Sequence, residues 1–271
     1  MIYLDNAATT LPKPSSVGAA MLQAISTCGN AGRGGHEAAM AGAYTLFRCR
    51  ENAAELFGLE NPEQVVFTQN ATHALNIALH GMLHRGGHCV VSGFEHNSVM
   101  RPLYAMRGNR VRYSVARAPL FDPEAFLKAF ERAIEPDTVC AVCTHVSNVF
   151  GYILPIAEVD GICARYGIPL ILDASQSAGA ISISVNQFSA VKFICMPGHK
   201  GLYGPQGTGL LLCEDGSEIP ALMQGGTGSR SSHFAQPSFL PDRHESGTQN
   251  IHGVAGLNAG ITYVREQGEA K

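Results

Sequence analysis

Short apolar runs rich in β-branched residues alternate along the chain with stretches whose apolar residues recur at helical spacing. The apolar runs predict strands at 64–68, 89–93, 110–115, 138–146, 168–173, 191–196 and 209–213. The helical patterns predict helices at 36–57, 72–84, 98–107, 123–134, 156–166 and 253–266. Alternation of this kind indicates an α/β fold with a mainly parallel, seven-stranded sheet and helices on both faces.

One long segment departs from this alternation. Residues 214–250 are rich in Gly, Ser and Pro and show little periodicity. Irregular segments of this length inside a compact fold often carry function.

Composition narrows the class of protein. The chain has 271 residues, of which 45% are hydrophobic and 15% are charged, and its net charge is −3. These values are typical of a soluble globular protein and provide no basic field for nucleic acid or an anionic membrane. The start MIYLDNAATT has no signal-peptide core, and no apolar run reaches the length of a membrane span. We therefore expect a cytoplasmic protein without nucleic-acid or membrane partners.

The cysteines indicate buried thiols and no metal. Several of the eight lie inside apolar runs, where cysteine usually behaves as a small hydrophobic residue. Cys140 and Cys143, followed by His145, have a spacing found in some metal sites. That run is typical of a strand, however, and no second Cys/His pair follows at zinc-site spacing. We expect no metal site.

The candidate chemistry lies just after the predicted strands, where open α/β sheets bind ligands. Asp173 ends the run IPLILD, and Lys200 lies in the glycine-rich stretch GHKGLYGPQGTG. A lysine can form a Schiff base with an aldehyde cofactor, and an aspartate can keep a ring nitrogen protonated. The alternatives are a capping aspartate and a solvated lysine. The glycines would let backbone approach a ligand closely, and the loop does not match a Walker A motif.

Other strand ends add polar groups. Ala71 and Thr72 begin a predicted helix whose free N–H groups suit a phosphate, unless Asn70 or Thr72 merely caps that helix. His96 could stack on a flat ring or move protons, or could be a loop residue beside a helix cap. The remaining candidates are Asn148 and Gln176, as donors to a cofactor oxygen, and His199, as a phosphate ligand. Their alternatives are ordinary turn and surface roles.

The ordered motifs YLDNAATT, NATHALN, EHNSVMRPL, HVSNVFG, LILDASQSAG, GHKGLYGPQGTG and ESGTQN resemble those of class V aminotransferase-like enzymes. Cysteine desulfurases and selenocysteine lyases are the most similar group. The resemblance covers nearly the whole chain and implies the large domain of a fold type I pyridoxal-phosphate enzyme that works as a homodimer.

The resemblance also implies a role for each motif residue. Lys200 would carry the Schiff base, Asp173 would pair with the ring nitrogen, and Gln176 with the phenolate oxygen. His96 would stack on the ring and act in catalysis, and Asn148 would lie near the cofactor and the substrate carboxylate. Ala71, Thr72 and His199 would bind the phosphate. Thr248 would reach the phosphate of the neighbouring subunit's cofactor, so that 214–250 would serve the dimer interface.

Two departures from the family pattern qualify this expectation. Pro197 stands where the family often has a Ser or Thr that contacts phosphate. The chain also stops at YVREQGEAK, before the small domain that carries the family's mobile catalytic Cys and its substrate-binding Arg. We expect a segment 1–13 that packs on the active site and the small domain, a cofactor domain 14–252, and at 253–271 the start of a helix toward the missing domain.

The implied function is desulfuration of L-cysteine to L-alanine with enzyme-bound sulfur, which a sulfur-acceptor protein would take in sulfur metabolism and iron–sulfur cluster assembly. The chain alone could be inactive. The alternatives within enzymes are a selenocysteine lyase, a cystine lyase, an aminotransferase or an epimerase. Outside catalysis, the alternative is a cofactor-binding or dimerising module. A nucleotide-binding domain is disfavoured because no dinucleotide fingerprint follows the first strand.

Overall fold

A sheet of seven strands lies at the centre of the computed structural model, which describes residues 2–32, 34–214, 219–229 and 232–268. The strands are β1 Val65–Thr68, β2 Gly87–Ser92, β3 Val111–Ala116, β4 Thr138–Thr144, β5 Leu170–Asp173, β6 Val191–Pro197 and β7 Gly209–Cys213. Their order across the sheet is β1-β7-β6-β5-β4-β2-β3. Strand β7 runs antiparallel to both neighbours, and the other neighbouring pairs are parallel. The predicted mainly parallel sheet is confirmed.

The helices of the described chain are α1 Ser15–Thr27, α2 Glu37–Phe57, α3 Ala71–Met82, α4 Asn97–Met106, α5 Pro123–Arg132, α6 Ile156–Tyr166 and α7 Ile251–Gln267. The predicted helices are all present, with ends shifted by a few residues. Helix α1 was not predicted. It buries only Val17 and Ala24, and Gly, Ser and Ala fill much of the rest, so its apolar stripe is weak. Packing against α7 stabilises it instead.

Two apolar layers cover the sheet, one on each face. On one face, α3 and α4 pack Leu75, Leu79 and Leu103 against the strands. On the other face, α2, α5, α6 and α7 pack residues that include Phe126 and Leu257. Alternate residues of each strand enter opposite layers, as the period of a β-strand requires. The helices therefore fix the sheet from both sides and leave its carboxyl edge open for a site.

A buried ion pair ties the irregular segment to this framework. Arg50 of α2 makes two hydrogen bonds to the Glu245 carboxylate, Nη1 to Oε1 at 2.8 Å and Nη2 to Oε2 at 2.6 Å. The backbone N–H of Phe67, in β1, donates to the same carboxylate at 2.6 Å. The Arg50 guanidinium lies 4.2 Å from the centre of the Phe67 ring. Within its described parts, the segment 214–250 contains no helix or strand.

The cysteines are free thiols, and all but Cys28 are buried. Cys140 and Cys143 enter different apolar layers because they lie three residues apart on one strand. The structure thus separates the two thiols whose spacing resembled a metal site. No helix in the described part of the chain is long and apolar enough to cross a membrane.

Candidate active site

A cleft of about 450 Å³ opens at the carboxyl edge of the sheet. Strands β1, β4, β5 and β6 end at it, and the starts of α3 and α4 contribute to its wall. Its lining includes every predicted site residue except Thr248, namely Ala71, Thr72, His96, Asn148, Asp173, Gln176, His199 and Lys200. The topology therefore brings together residues that are up to 129 positions apart (200 − 71 = 129) in the sequence.

Asp173 forms the buried floor of the cleft. It is the last residue of β5 and is 2% exposed. Its Oδ1 accepts hydrogen bonds from Ser175 N at 2.9 Å and Ser175 Oγ at 2.5 Å. Its Oδ2 has no hydrogen-bond partner among the described residues, so it can accept a ligand N–H. Burial raises the pKa of Asp173, while the Ser175 hydrogen bonds and the charges of Lys200 and His96 act in the opposite direction.

Lys200 faces Asp173 from the loop that follows β6. Its carbonyl oxygen accepts from Thr10 Oγ1 at 3.2 Å and from Tyr203 N at 3.0 Å, so the backbone is fixed. In the described part of the chain, its Nζ makes no hydrogen bond. Burial lowers the pKa of Lys200, and the Asp173 charge only partly offsets this effect. A lowered pKa increases the neutral, nucleophilic fraction of the amine.

Two glycines of this loop pack closely against neighbouring protein. A Cβ added at Gly201 would lie 2.3 Å from the carbonyl oxygen of Ala178. One added at Gly198 would lie 2.2 Å from Thr208 Oγ1. These glycines therefore permit close packing of the lysine loop on neighbouring protein, and the expected approach of the loop backbone to a ligand stays a prediction.

The start of α3 presents free backbone donors to the cleft. Asn70 caps the helix, because its Oδ1 accepts from His73 N at 2.9 Å. The N–H groups of Ala71 and Thr72 have no partner within the described residues, and both residues line the cleft. The capping role and the anion site therefore coexist: Asn70 satisfies one donor and leaves two for an anion.

His199 lies on the cleft with one nitrogen engaged. Its Nδ1 shares a hydrogen bond with Thr9 Oγ1 at 3.0 Å. Burial, then the charges of Lys200 and Lys13, lower the pKa of His199. The ring thus favours its neutral form, which can still donate or accept at Nε2.

His96 is itself the cap of α4. Its Nδ1 accepts from Ser98 N at 3.1 Å and shares a further hydrogen bond with Ser98 Oγ at 2.8 Å. Because Nδ1 accepts from a backbone N–H, the neutral ring carries its proton on Nε2. The capping contact fixes the ring at the wall of the cleft, so capping and a role in the site are compatible.

Gln176 and Asn148 stand at the mouth of the cleft. The Gln176 Nε2 donates to the carbonyl oxygen of Ala7 at 3.2 Å, which ties it to the N-terminal segment. Asn148 is exposed, and no hydrogen bond of its side chain is found in the described chain. The turn around Asn148 depends on its neighbour, since Ser147 Oγ accepts from Val149 N and Phe150 N, each at 3.3 Å. The cofactor contacts expected of both amides stay predictions.

Sequence reasoning missed the hydrogen bonds that hold the N-terminal segment along the cleft. Asp5, Ala7 and Ala8 line it. The carbonyl oxygen of His199 accepts from Thr10 N at 3.1 Å and from Thr9 Oγ1 at 3.2 Å. The motif YLDNAATT carried the signal, but its residue types alone do not indicate these backbone contacts.

Thr248 lies apart from the cleft. It lines two smaller hollows beside the irregular segment, together with Glu245 and Gln249. Its expected contact is with another subunit, so its role stays a prediction.

Comparison with known proteins identifies the family. The family model described as Aminotransferase class-V matches residues 2–271. The chain belongs to this family. Class V aminotransferases are pyridoxal-phosphate-dependent enzymes, and the seven-stranded sheet is the fold type I architecture that the motifs predicted.

The relatives of the chain include named cysteine desulfurases. A probable cysteine desulfurase of Methanothermobacter thermautotrophicus is 34% identical over 98% of this chain and 67% of its own length. The cysteine desulfurase IscS of Salmonella arizonae is 31% identical over 100% of this chain and 65% of its own length. A solved structure, the apo cysteine desulfurase of Thermococcus onnurineus NA1, matches with a TM-score of 0.89 and 29% identity over 99% of this chain and 68% of that one. The chain thus spans about two thirds of the length of these relatives.

Proposed function

We propose that this chain holds pyridoxal phosphate and belongs to an enzyme that converts L-cysteine and an enzyme thiol to L-alanine and an enzyme persulfide. The observation that carries the proposal is the pairing in one cleft of a buried carboxylate with a free oxygen, Asp173, and a partly desolvated amine, Lys200. Family members named as cysteine desulfurases support the choice of substrate.

The residues present fit the cofactor. Its phosphate matches the two free N–H groups at the start of α3, where the helix dipole also favours an anion. Its ring nitrogen matches Asp173 Oδ2, and its aldehyde matches Lys200 Nζ. Pro197 offers no hydroxyl to the phosphate, so the backbone donors and His199 carry more of that contact.

When bound, pyridoxal phosphate supplies an aldehyde for the substrate amino group and a ring that accepts electrons from the bond being broken. Asp173 Oδ2 accepts the ring N–H and keeps that proton in place. Lys200 Nζ, in its neutral form, takes the proton from the substrate Cα and can return it. The His96 ring covers one face of the site, and its Nε2–H is available as a donor. Asn148 orients the substrate carboxylate, and Gln176 donates to the phenolate oxygen.

The sulfur-accepting thiol is not among the eight cysteines of this chain. No cysteine lines the cleft within the described residues, and burial raises the pKa of Cys49 and of Cys163 to about 12. A thiolate is the nucleophile in persulfide formation, so these thiols are unsuited to it. We infer that the thiol comes from a domain beyond residues 1–271, with 14–252 as the cofactor domain and Thr248 serving the cleft of a second subunit.

This observation favours a second candidate function, a cofactor-binding module that turns over no amino acid by itself. Turnover of L-cysteine distinguishes the two. Alanine produced by the chain with L-cysteine and an added small thiol supports the enzyme, whereas cofactor binding without alanine supports the module.

Reductive labelling tests the cofactor assignment. The purified protein is mixed with pyridoxal phosphate, reduced with borohydride and digested, and the modified peptide is mapped. We expect the label on Lys200 and its loss in Lys200→Ala. Lys192→Ala, which removes a lysine paired with Glu214 away from the cleft, is the matched control and should keep the label. A label on another lysine, or no label, would contradict the proposal.

A further inference from the structure

A second buried carboxyl lies behind the floor of the cleft, and the proposed chemistry does not use it. Glu95 follows β2 and precedes His96, and it does not line the cleft. Its Oε1 accepts from Ser92 Oγ at 2.5 Å and from Thr144 N at 2.7 Å. Its Oε2 is buried and has no hydrogen-bond partner among the described residues.

The Glu95 side chain provides the hydrogen-bond acceptor that a paired strand would otherwise give to Thr144. The pairing of β2 with β4 ends at Val91 and Val142, so Thr144 N has no partner from β2. The Glu95 carboxyl takes this donor instead, as a buried backbone N–H requires. Thr144 is paired in register with Asp173 on β5. Glu95 therefore sits one strand away from the aspartate that faces the cofactor site.

Two buried carboxyls that lie one strand apart do not both ionise at small cost, because each charge lies in a poorly solvated interior. Asp173 has the better support for a charge, since it accepts two hydrogen bonds from Ser175, and any positive charge on Lys200 or His96 acts to lower the pKa of Asp173. Glu95 has two donors, and no cation of the described chain contributes to its pKa. The titratable groups that interact with it include Asp173, Cys89 and Cys143, each of which would be neutral or negative, and His96 follows it in the chain.

We propose that Glu95 is a positioning residue that holds a proton at neutral pH, so that Asp173 alone carries the charge at the floor of the site. The proton resides on Oε2, because Oε1 is occupied by two donors. In this form the carboxyl fixes the ends of β2 and β4 without placing a second negative charge next to Asp173. This inference rests on the proposed function for its consequence in the holoenzyme, but not for the protonation itself.

Burial, reinforced by the Asp173 charge and opposed by the Ser92 and Thr144 hydrogen bonds, raises the pKa of Glu95 to about 8. The carboxyl then ionises on the alkaline side of neutrality and places a second negative charge behind Asp173. We expect this charge to favour protonated groups at the cleft and so to shift the absorption of bound pyridoxal phosphate over the same pH range.

The first test uses the protein without cofactor. Glutamate labelled with ¹³C at Cδ is followed by NMR across pH, and Glu95→Gln identifies the Glu95 resonance by its loss. Glu124→Gln, on the exposed face of α5, is the matched control for loss of one glutamate signal. We expect a Glu95 midpoint near 8. A midpoint near the ordinary 4.5 would overturn the proposal.

Ser92→Ala keeps the test decisive if Glu95→Gln fails to fold. Removing the Ser92 hydroxyl takes away a donor to the ionised form, so the titration midpoint of the glutamate with the raised pKa should rise further. A midpoint that stays unchanged would show that this resonance is not Glu95 and would count against the proposal.

The second test uses the loaded protein and reads the absorption of bound pyridoxal phosphate against pH. The wild type should show a transition near the NMR midpoint, and Glu95→Gln should lack it while binding cofactor at neutral pH. The same transition in both proteins would refute the link to Asp173. If Lys200 is not labelled, the proposed function fails, whereas the titration without cofactor still decides the protonation of Glu95.

Discussion

The buried pair Arg50–Glu245 should dominate the stability of the irregular segment, and Glu245→Ala tests it. The side chains are 9% and 6% exposed, so removing the carboxylate leaves a guanidinium buried without its partner. It also deprives the Phe67 N–H of its acceptor. Breaking a buried ion pair from one side costs about 3–5 kcal/mol. We expect a loss of this size, a large fraction of the roughly 5–15 kcal/mol that stabilises a typical domain.

Urea unfolding followed by circular dichroism measures this loss as a lower midpoint at an unchanged slope. Glu51→Ala is the matched control. Glu51 lies on α2, the helix that carries Arg50, and its carboxylate pairs with Arg48 at 2.8 Å on the surface. Exposed pairs of this kind contribute about 0–1 kcal/mol. If Glu245→Ala lowers the free energy of unfolding no more than Glu51→Ala does, the reasoning about burial is refuted.

Further predictions concern the cleft. Asp173→Asn removes the charge opposite the ring nitrogen, and we expect roughly tenfold to hundredfold weaker binding of pyridoxal phosphate, or about 1.5–3 kcal/mol, by absorbance titration. Gly201→Ala should destabilise the protein by about 1–3 kcal/mol in urea, because its Cβ would meet Ala178 O at 2.3 Å, whereas Gly161→Ala, which meets nothing within 4 Å, should not destabilise it. The raised pKa of Glu95 gives stability that is full below about 4.5 and is lost as pH rises through about 8; the free energy of unfolding should fall by up to about 1.4 kcal/mol per pH unit between these values, and Glu95→Gln should remove that slope.

The location of the site could be predicted because one rule of topology governs it. In a parallel sheet, the residues after each strand meet at one edge, so strand prediction alone placed Asp173, Lys200 and His96 in a common region. The residue types then selected the chemistry. The sheet order was not predicted, since the alternation of strands and helices does not determine which strands are neighbours.

Glu95 could not be recognised as a buried carboxyl from its sequence neighbours. Its burial depends on where β2 stops pairing with β4, and that register is a property of the folded sheet. Helix α1 was missed for a related reason. Its small residues give little amphipathic signal, and α7, which stabilises it, lies more than 220 positions further along the chain (251 − 27 = 224).

The position of the reactive amine is set by backbone packing around Lys200 rather than by contacts of its side chain. On one side, Gly179 and Gly201 bring the turn after β5 against the lysine loop, and a Cβ at Gly179 would lie 2.3 Å from Gly201 O. On the other side, a Cβ at Gly260 of α7 would lie 2.2 Å from Leu202 O. Backbone contacts of this kind fix the Lys200 Cα, while Nζ makes no hydrogen bond to any residue that the structure describes. The lysine can therefore exchange partners during a reaction without rearrangement of the loop. Helix α7 supports the site through this contact at Gly260 and through its C-terminal end, where Tyr263 and Gln267 line a hollow together with Lys200.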